Sequence, residues 1–445
     1  MNKTEQFLKS IDNFSKQDLC EKVWNRARLS LLDYICVTLA GAKYHKQKLQ
    51  KYFEFSEPES GNYTAIGLGK KLVMKEAVFL NGLNGHALDF DDGTNTGIIH
   101  LGSPIFSVLL PVAQKYHLTY EKVLKAAIIG YETSFTMALS IQPKHKLLGY
   151  HATGTCGTLG ATMAICYALD FNENEIKNAF ATACVSASGM LKVLDDGSEL
   201  KPYNVAKTSL LALTSAQMAK AGFKGHPDAL SGDRGFLKMM TGESDVPLFK
   251  PLYNGTYAIE KTYTKPYAAC RYCHPAIEAA IYLRNNYSYD EIERIDVDTY
   301  SLAVKGHEHT EIPSVSSAKM SIPYSVAVAT ITGKAGLAEY TEHYLNDSKV
   351  KELCKKIRIN SNQEFSNVFP EKQFALVKVT TSKGIFKKQI DFPKGEPENR
   401  MTEKEFKNRF MEMCSFGGKS ISDSEKIYDL VTLDVGFMDN LFNFL

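Results

Sequence analysis

From Asp18 to about Tyr263 apolar residues recur at three- and four-residue steps, the period of helices that bury one face. The pattern predicts helices over residues 23–40, 73–90, 104–117, 120–139, 155–169, 173–187 and 206–221, separated by Gly, Asn and Asp. Near Ile292 the period changes to two: RIDVDTYSLAV and KKIRINSN alternate, and FALVKVTTSKGIFKKQIDF reads as a hairpin turning at Ser382 to Gly384. After the link PKGEPENR the helical period returns in MTEKEFKNRFMEMCS and SDSEKIYDLVTLD. The expected fold is mostly α: a large all-helical domain over residues 1–266 and 399–445, plus a smaller α+β lid domain over 267–398.

A chain of 445 residues exceeds one simple core, which fits two domains with room for a cleft. Lys and Arg total 52 against 50 Asp and Glu, so bulk charge gives no reason to expect a nucleic-acid or acidic-membrane partner. The first residues show no continuous apolar h-region, and no apolar run approaches the ~20 residues of a membrane span. A soluble, cytoplasmic protein is expected. Nine cysteines without framework spacing fit reduced thiols. Cys270, Cys273 and His274 formally match CxxCH, but no export signal accompanies them and no second ligand pair stands at zinc spacing, so neither haem nor metal is expected.

The densest chemistry lies in NGLNGHALDFDDGTNTGIIHLGS, residues 81–103, where three Asp, His86 and His100 follow an amphipathic helix. Gly82 and Gly85 sacrifice helix propensity and imply close approach of another backbone, while Asp89 at the helix end would point into that crowded place. A helix end with solvated carboxylates is the alternative. In GYHATGTCGTLGAT, His151 precedes a helix with Gly154, Gly157 and Gly160 on one face, suited to tight packing and unlike a dinucleotide fingerprint. DDGSELKPYNVAK places Lys201 before a proline and Lys207 at the start of the next helix; YTKPYAACRYCHP places Lys265 before another. A lysine held extended by a following proline is a sensible carboxylate anchor, although surface lysine is the commoner case. In SAKMSIPYSVAVATITG, Tyr324 begins a helix, either as a proton donor or as a core residue. GxSxG, HExxH, Walker, kinase and EF-hand signatures are absent. Asp, His, Lys and Tyr without an evident nucleophile suit proton transfer beside carboxylates.

In order along the chain, NGLNGHALDFDD with a His eleven residues after its first Asp, YHATGTCGTLGA, DGSELKPYNVAK, KPYAACRYCHPAIEA and AKMSIPYSVAVA resemble the successive motifs of the MmgE/PrpD family. The resemblance implies cofactor-independent chemistry next to a carboxylate: dehydration of 2-methylcitrate, decarboxylation of cis-aconitate or epimerisation of iminodisuccinate. It implies a small di- or tricarboxylate substrate and a homodimer. It also implies a cleft lined by Asp89, His100, His151, Lys201, Lys265 and Tyr324. Asp89, His100, His151 and Tyr324 are expected to be catalytic, and Lys201, Lys265, Cys270 and His274 to bind substrate. Cys270 stands where the decarboxylating members carry a further histidine. His86, Asp91 and Asp92 are expected to support the site or end the helix. Dehydration is the first expectation, epimerisation the second, and a carboxylate-binding protein without catalysis the third.

Overall fold

Where the apolar period is helical the chain is helical, because each helix hides its apolar face against another. A computed structural model describes residues 1–194, 198–433 and 435–445. Asp195 to Gly197 of the DDGSELKPYNVAK motif and Asp434 of the last predicted helix lie outside the described residues. In chain order the main elements are α1 (Lys3–Ser15), α2 (Glu21–Tyr44), α3 (Lys46–Ser56), β1 (Ser60–Ala65), β2 (Lys70–Leu72), α4 (Met74–Gly85), α5 (Gly102–Tyr116) and α6 (Tyr120–Ile141). There follow α7 (Ala152–Ala168), α8 (Glu173–Ser186), α9 (Lys201–Lys220), α10 (His274–Leu283), β3 (Ile292–Thr299), α11 (Ile322–Thr332), β4 (Ile357–Ser361), β5 (Ala375–Thr381), β6 (Gly384–Ile390), α12 (Glu403–Phe416) and α13 (Ile421–Leu433). The chain forms two compact units: Met1–Val193, Leu200–Thr262 and Glu403–Leu445 make a helical unit, and Leu194–Glu199 with Tyr263–Thr402 a mixed one.

In the helical unit α7 packs against α5, α6, α8 and α9, and α4 against α2 and α9. Small residues set these distances. A Cβ on Gly160 would lie 1.8 Å from Ser134 Oγ and 2.4 Å from the Gly130 carbonyl oxygen, so α6 and α7 touch almost backbone to backbone. Gly82 meets α9 in the same way, 2.8 Å from the Ala206 Cα. Gly157, by contrast, has room for a methyl group, its nearest neighbour being 3.4 Å away. Gly160→Ala is therefore expected to destabilise the protein by about 1–3 kcal/mol through overpacking, and Gly157→Ala by less, as measured by urea denaturation. The unit is not wholly helical: β1 and β2 form an antiparallel hairpin that the sequence pattern did not announce, because strands of six and three residues offer too few positions for an alternation to register.

Three local expectations change. The helix predicted over 73–90 stops at Gly85, and Asp89 sits beyond it in a turn with φ of 51°. Lys201 is not extended before Pro202. It opens α9, whose first turn tolerates proline because its N–H groups have no partner within the helix. Lys207 consequently lies inside α9 and not at its start.

The mixed unit carries a four-stranded sheet in the order β4-β3-β5-β6, with β3 parallel to β4 and the other pairs antiparallel. The β5–β6 hairpin turns at Ser382 and Lys383, with Thr381 opposite Gly384. Burial alternates strictly along β5, and α10 covers β5 and β6. Among the described residues no helix is long and apolar enough to cross a membrane.

Candidate active site

The loop from His86 to Leu101 leaves α4 and enters α5, bringing two acidic residues and two imidazoles together inside the helical unit. Its backbone is held at several points: the Thr94 N–H donates to the Ile99 carbonyl, the Gly102 N–H to Asp92 Oδ1 at 2.8 Å, and the His100 N–H to Thr153 Oγ1 on α7 at 3.1 Å. Asp89 and Ile98 both adopt left-handed φ near 51°. For a β-branched residue such as Ile98 that region is disfavoured, so the surrounding contacts must impose it.

Asp89 Oδ1 accepts a hydrogen bond from Lys201 Nζ at 2.7 Å and lies 3.8 Å from His100 Nε2. Lys201 reaches it from the first turn of α9, and both side chains are largely buried. His151 immediately precedes α7, with its ring centroid 6.4 Å from that of His86, which in turn lies 4.6 Å from His100. The structure thus gathers four of the predicted residues, Asp89, His100, His151 and Lys201, in one unit.

Hydrogen-bond direction assigns the imidazole tautomers. His100 Nδ1 lies 2.8 Å from the Asp92 carbonyl, which can only accept, so Nδ1 carries a proton and the neutral form of the ring has its lone pair at Nε2. His151 is the reverse. Its Nδ1 accepts from Asn204 Nδ2 at 3.2 Å, and the same amide nitrogen faces the Met190 carbonyl at 3.5 Å, which fixes the amide's orientation. His151 Nε2 therefore bears the hydrogen. Burial, the Lys201 ammonium and the two neighbouring histidines hold its pKa well below the ordinary 6.5, with Asp89 opposing, so His151 is neutral at pH 7. In neutral form one imidazole accepts and the other donates.

Behind this layer His86 Nδ1 donates to Asp91 Oδ1 at 2.7 Å, both side chains being almost fully buried. Asp92 turns inward, its Oδ2 accepting from Tyr131 at 2.7 Å. Arg409 on α12 pairs with Asp33 on α2 at 2.5 Å and donates to the Phe90 carbonyl at 3.0 Å, tying the loop to the C-terminal helices. Asn204 and Arg409 were not singled out in the sequence; only the position of Asn204, three residues after Lys201, gave any hint.

Desolvation, with the nearby Asp33 charge, pushes the Asp92 carboxyl from the ordinary 3.8 up to about 7, against the hydrogen bonds from Tyr131 and Gly102. The unfolded chain therefore releases this proton near pH 4, while the folded protein keeps it until about pH 7. Stability from this group falls as pH rises between those values and is constant outside them. Asparagine has no proton to lose and can still bond Tyr131. Asp92→Asn is expected to match wild type near pH 4 and to gain stability relative to it up to about pH 7, measured by urea midpoints across pH.

His86, Asp89, Asp91 and His100 offer ligand atoms within 4.8 Å of one another, the spacing of a metal site. The Lys201 ammonium, 2.7 Å from Asp89 Oδ1, competes with a cation for that carboxylate.

The mixed unit holds the other predicted residues. Lys265 is buried, at 1% exposure. His274 uses both nitrogens internally, Nδ1 accepting from Arg271 at 2.8 Å and Nε2 donating to the Ala269 carbonyl at 3.1 Å. Tyr324, in the first turn of α11, donates to the Glu339 carbonyl at 2.9 Å, and burial raises its pKa above the ordinary 10.0. Cys270 Sγ lies 3.5 Å from His307 Nε2, a residue the sequence reading did not single out.

The MmgE/PrpD N-terminal domain matches residues 5–248 and the MmgE/PrpD C-terminal domain residues 267–432, so the chain belongs to the MmgE/PrpD family. Cis-aconitate decarboxylase of Mus musculus is 22% identical over 437 residues, covering 92% of this chain and 86% of its own length. The Homo sapiens cis-aconitate decarboxylase is 22% identical over 382 residues, covering 80% and 76%.

Proposed function

We propose that the protein is a cofactor-independent lyase acting next to a carboxylate of a small di- or tricarboxylate, with dehydration as the first choice. The pairing of an accepting His100 with a donating, neutral His151 beside the Asp89–Lys201 ion pair carries this reading. Removing a proton from carbon while a hydroxyl leaves requires a base for the proton and a hydrogen-bond donor for the leaving oxygen, which two imidazoles in complementary tautomers supply. His100 Nε2 takes the carbon proton, with Asp89 stabilising the imidazolium that forms. His151 Nε2–H hydrogen-bonds the leaving oxygen, which departs as water with the proton that His100 has taken. An ammonium carries three donors, so Lys201 can hold Asp89 and a substrate carboxylate together. Family membership supports lyase chemistry, and the decarboxylase relatives support a carboxylate substrate. On the resemblance, Lys265, Cys270 and His274 are assigned to substrate binding, Tyr324 to protonation, and the protein to a homodimer.

Incubation in D2O with 2-methylcitrate, citrate, cis-aconitate or iminodisuccinate, followed by proton NMR, tests the reading. Loss of water from a hydroxy acid is the expected result. Loss of carbon dioxide would make the protein a decarboxylase, and deuterium exchange without net change an epimerase. If none of these compounds reacts or raises the melting temperature, the substrate class is wrong.

A further inference from the structure

In the mixed unit one thiol, that of Cys270, stands against an imidazole. Burial pushes the thiols of Cys36, Cys156, Cys166, Cys184, Cys354 and Cys414 above their ordinary value, which leaves them protonated and inert. Cys270 instead faces an imidazole, its Sγ 3.5 Å from His307 Nε2. His307 is oriented for the task. Its Nδ1 donates to the Lys305 carbonyl at 3.0 Å, which leaves Nε2 as the nitrogen turned toward the thiol.

The ring is also held in place. The His307 N–H donates to Val304 O and to Glu308 Oε2, both at 2.9 Å, and its carbonyl accepts from the Ile322 N–H at 2.8 Å. Tyr272 stands edge-on to the ring with centroids 5.2 Å apart. Cys270 is fixed in turn by its N–H to the Lys319 carbonyl at 2.8 Å, immediately before the turn Arg271–Cys273 that feeds α10. Nucleophile, base and orienting acceptor thus stand in sequence, the arrangement that activates a thiol. Tyr272, against the His307 ring, and Tyr300 beside it are buried, and burial holds both pKa values above the ordinary 10.0, so neither competes as a proton acceptor. Cys270 keeps 9% of its surface exposed, whereas Cys273 keeps none.

We propose that Cys270 and His307 form a nucleophilic thiol–imidazole pair, a modification site for α,β-unsaturated carboxylic acids. The choice of electrophile rests on the proposed function, whose dehydration product is of this class; the activation of the thiol does not. The Sγ proton passes to His307 Nε2, and the sulfur forms a bond to the β-carbon. The π pair moves to the α-carbon, which takes the proton back from the imidazolium. Atoms balance, and no external oxidant or reductant is required.

The test is alkylation of the full-length protein by iodoacetamide and, separately, by cis-aconitate, with peptide mass mapping that separates Cys270 from the exposed Cys20. Cys270 is expected to react with iodoacetamide at least about tenfold faster than Cys20 near pH 6.5, to be slowed about tenfold by His307→Gln, and to gain the mass of one cis-aconitate. In the wild-type protein its rate should change little between about pH 6 and pH 8, whereas an unassisted thiol accelerates about tenfold per pH unit below its pKa. Labelling no faster than Cys20, or a wild-type rate rising in the unassisted manner, overturns the pair even if His307→Gln fails to fold. Absence of the cis-aconitate adduct on a thiol that iodoacetamide labels rapidly overturns the electrophile class. Labelling requires no turnover, so a protein that converts none of the tested acids yet shows the reactive thiol refutes the proposed function alone.

Discussion

Replacing Lys201 by alanine is expected to lower kcat/KM for the carboxylate substrate about 100- to 1,000-fold, the usual cost of removing a charge aimed at the reacting group. Lys201 Nζ sits 2.7 Å from Asp89 Oδ1 in a largely buried setting, where an ion pair is screened far less than at the surface. Its loss strips the counter-charge from Asp89, which shares the loop with the nearby Asp91 carboxylate. It also removes one of the charges that hold His151 neutral, so the His151 pKa should rise and its Nδ1 should become less able to accept from Asn204. Arginine should not restore activity, because its planar fork cannot occupy the place of a compact ammonium. Steady-state kinetics with circular dichroism as a folding control, and imidazole nitrogen NMR for His151, measure both effects. Turnover within about threefold of wild type would remove Lys201 from the proposed mechanism.

Breaking the Asp33–Arg409 pair should have the largest effect on stability. Arg409 is 7% and Asp33 2% exposed, and the guanidinium also stacks over Phe90 with its Cζ 4.5 Å from the ring centroid. Arg409→Met leaves the buried Asp33 without this partner, the circumstance that costs about 3–5 kcal/mol, whether as a stranded charge or as the proton taken up to remove it. Burial already raises the Asp33 pKa against the pull of Arg409 and Arg26, so the variant should take up a proton there. Asp33→Asn combined with Arg409→Met should recover much of the loss, since neither charge is then stranded. Urea denaturation of both variants tests this, and a single variant within about 1 kcal/mol of wild type would contradict it. Because Arg409 also bonds the Phe90 carbonyl, the single variant should lose activity by loosening the loop that carries Asp89 and His100.

Much of the architecture was legible because helix and strand periods are local. The helices over 104–117, 120–139 and 173–187 fall within two or three residues of the observed α5, α6 and α8, and the hairpin at Ser382 to Gly384 lies where alternation and turn residues put it. The end of α4 was less legible. Leu88 and Phe90 continue the apolar spacing and both are buried, but they are buried from a turn and not from a helix. Burial alone cannot distinguish those two geometries in a pattern. Proline before or after a lysine was equally ambiguous: Pro202 proved to be a helix-opening residue, although the same dipeptide in an extended segment reads identically.

By itself, the sequence determined the helical and sheet periods and the ordered inventory of Asp, His, Lys and Tyr, because these depend on neighbours a few positions apart. Only the tertiary structure decided how that inventory is protonated and paired. The Asp92 carbonyl makes His100 an acceptor, Asn204 makes His151 a donor, and His307 waits 37 residues beyond Cys270. Each of these depends on which atom of a residue distant in sequence arrives within 3.5 Å, and on whether that atom gives or takes a hydrogen. No local pattern of hydrophobic and polar positions encodes either.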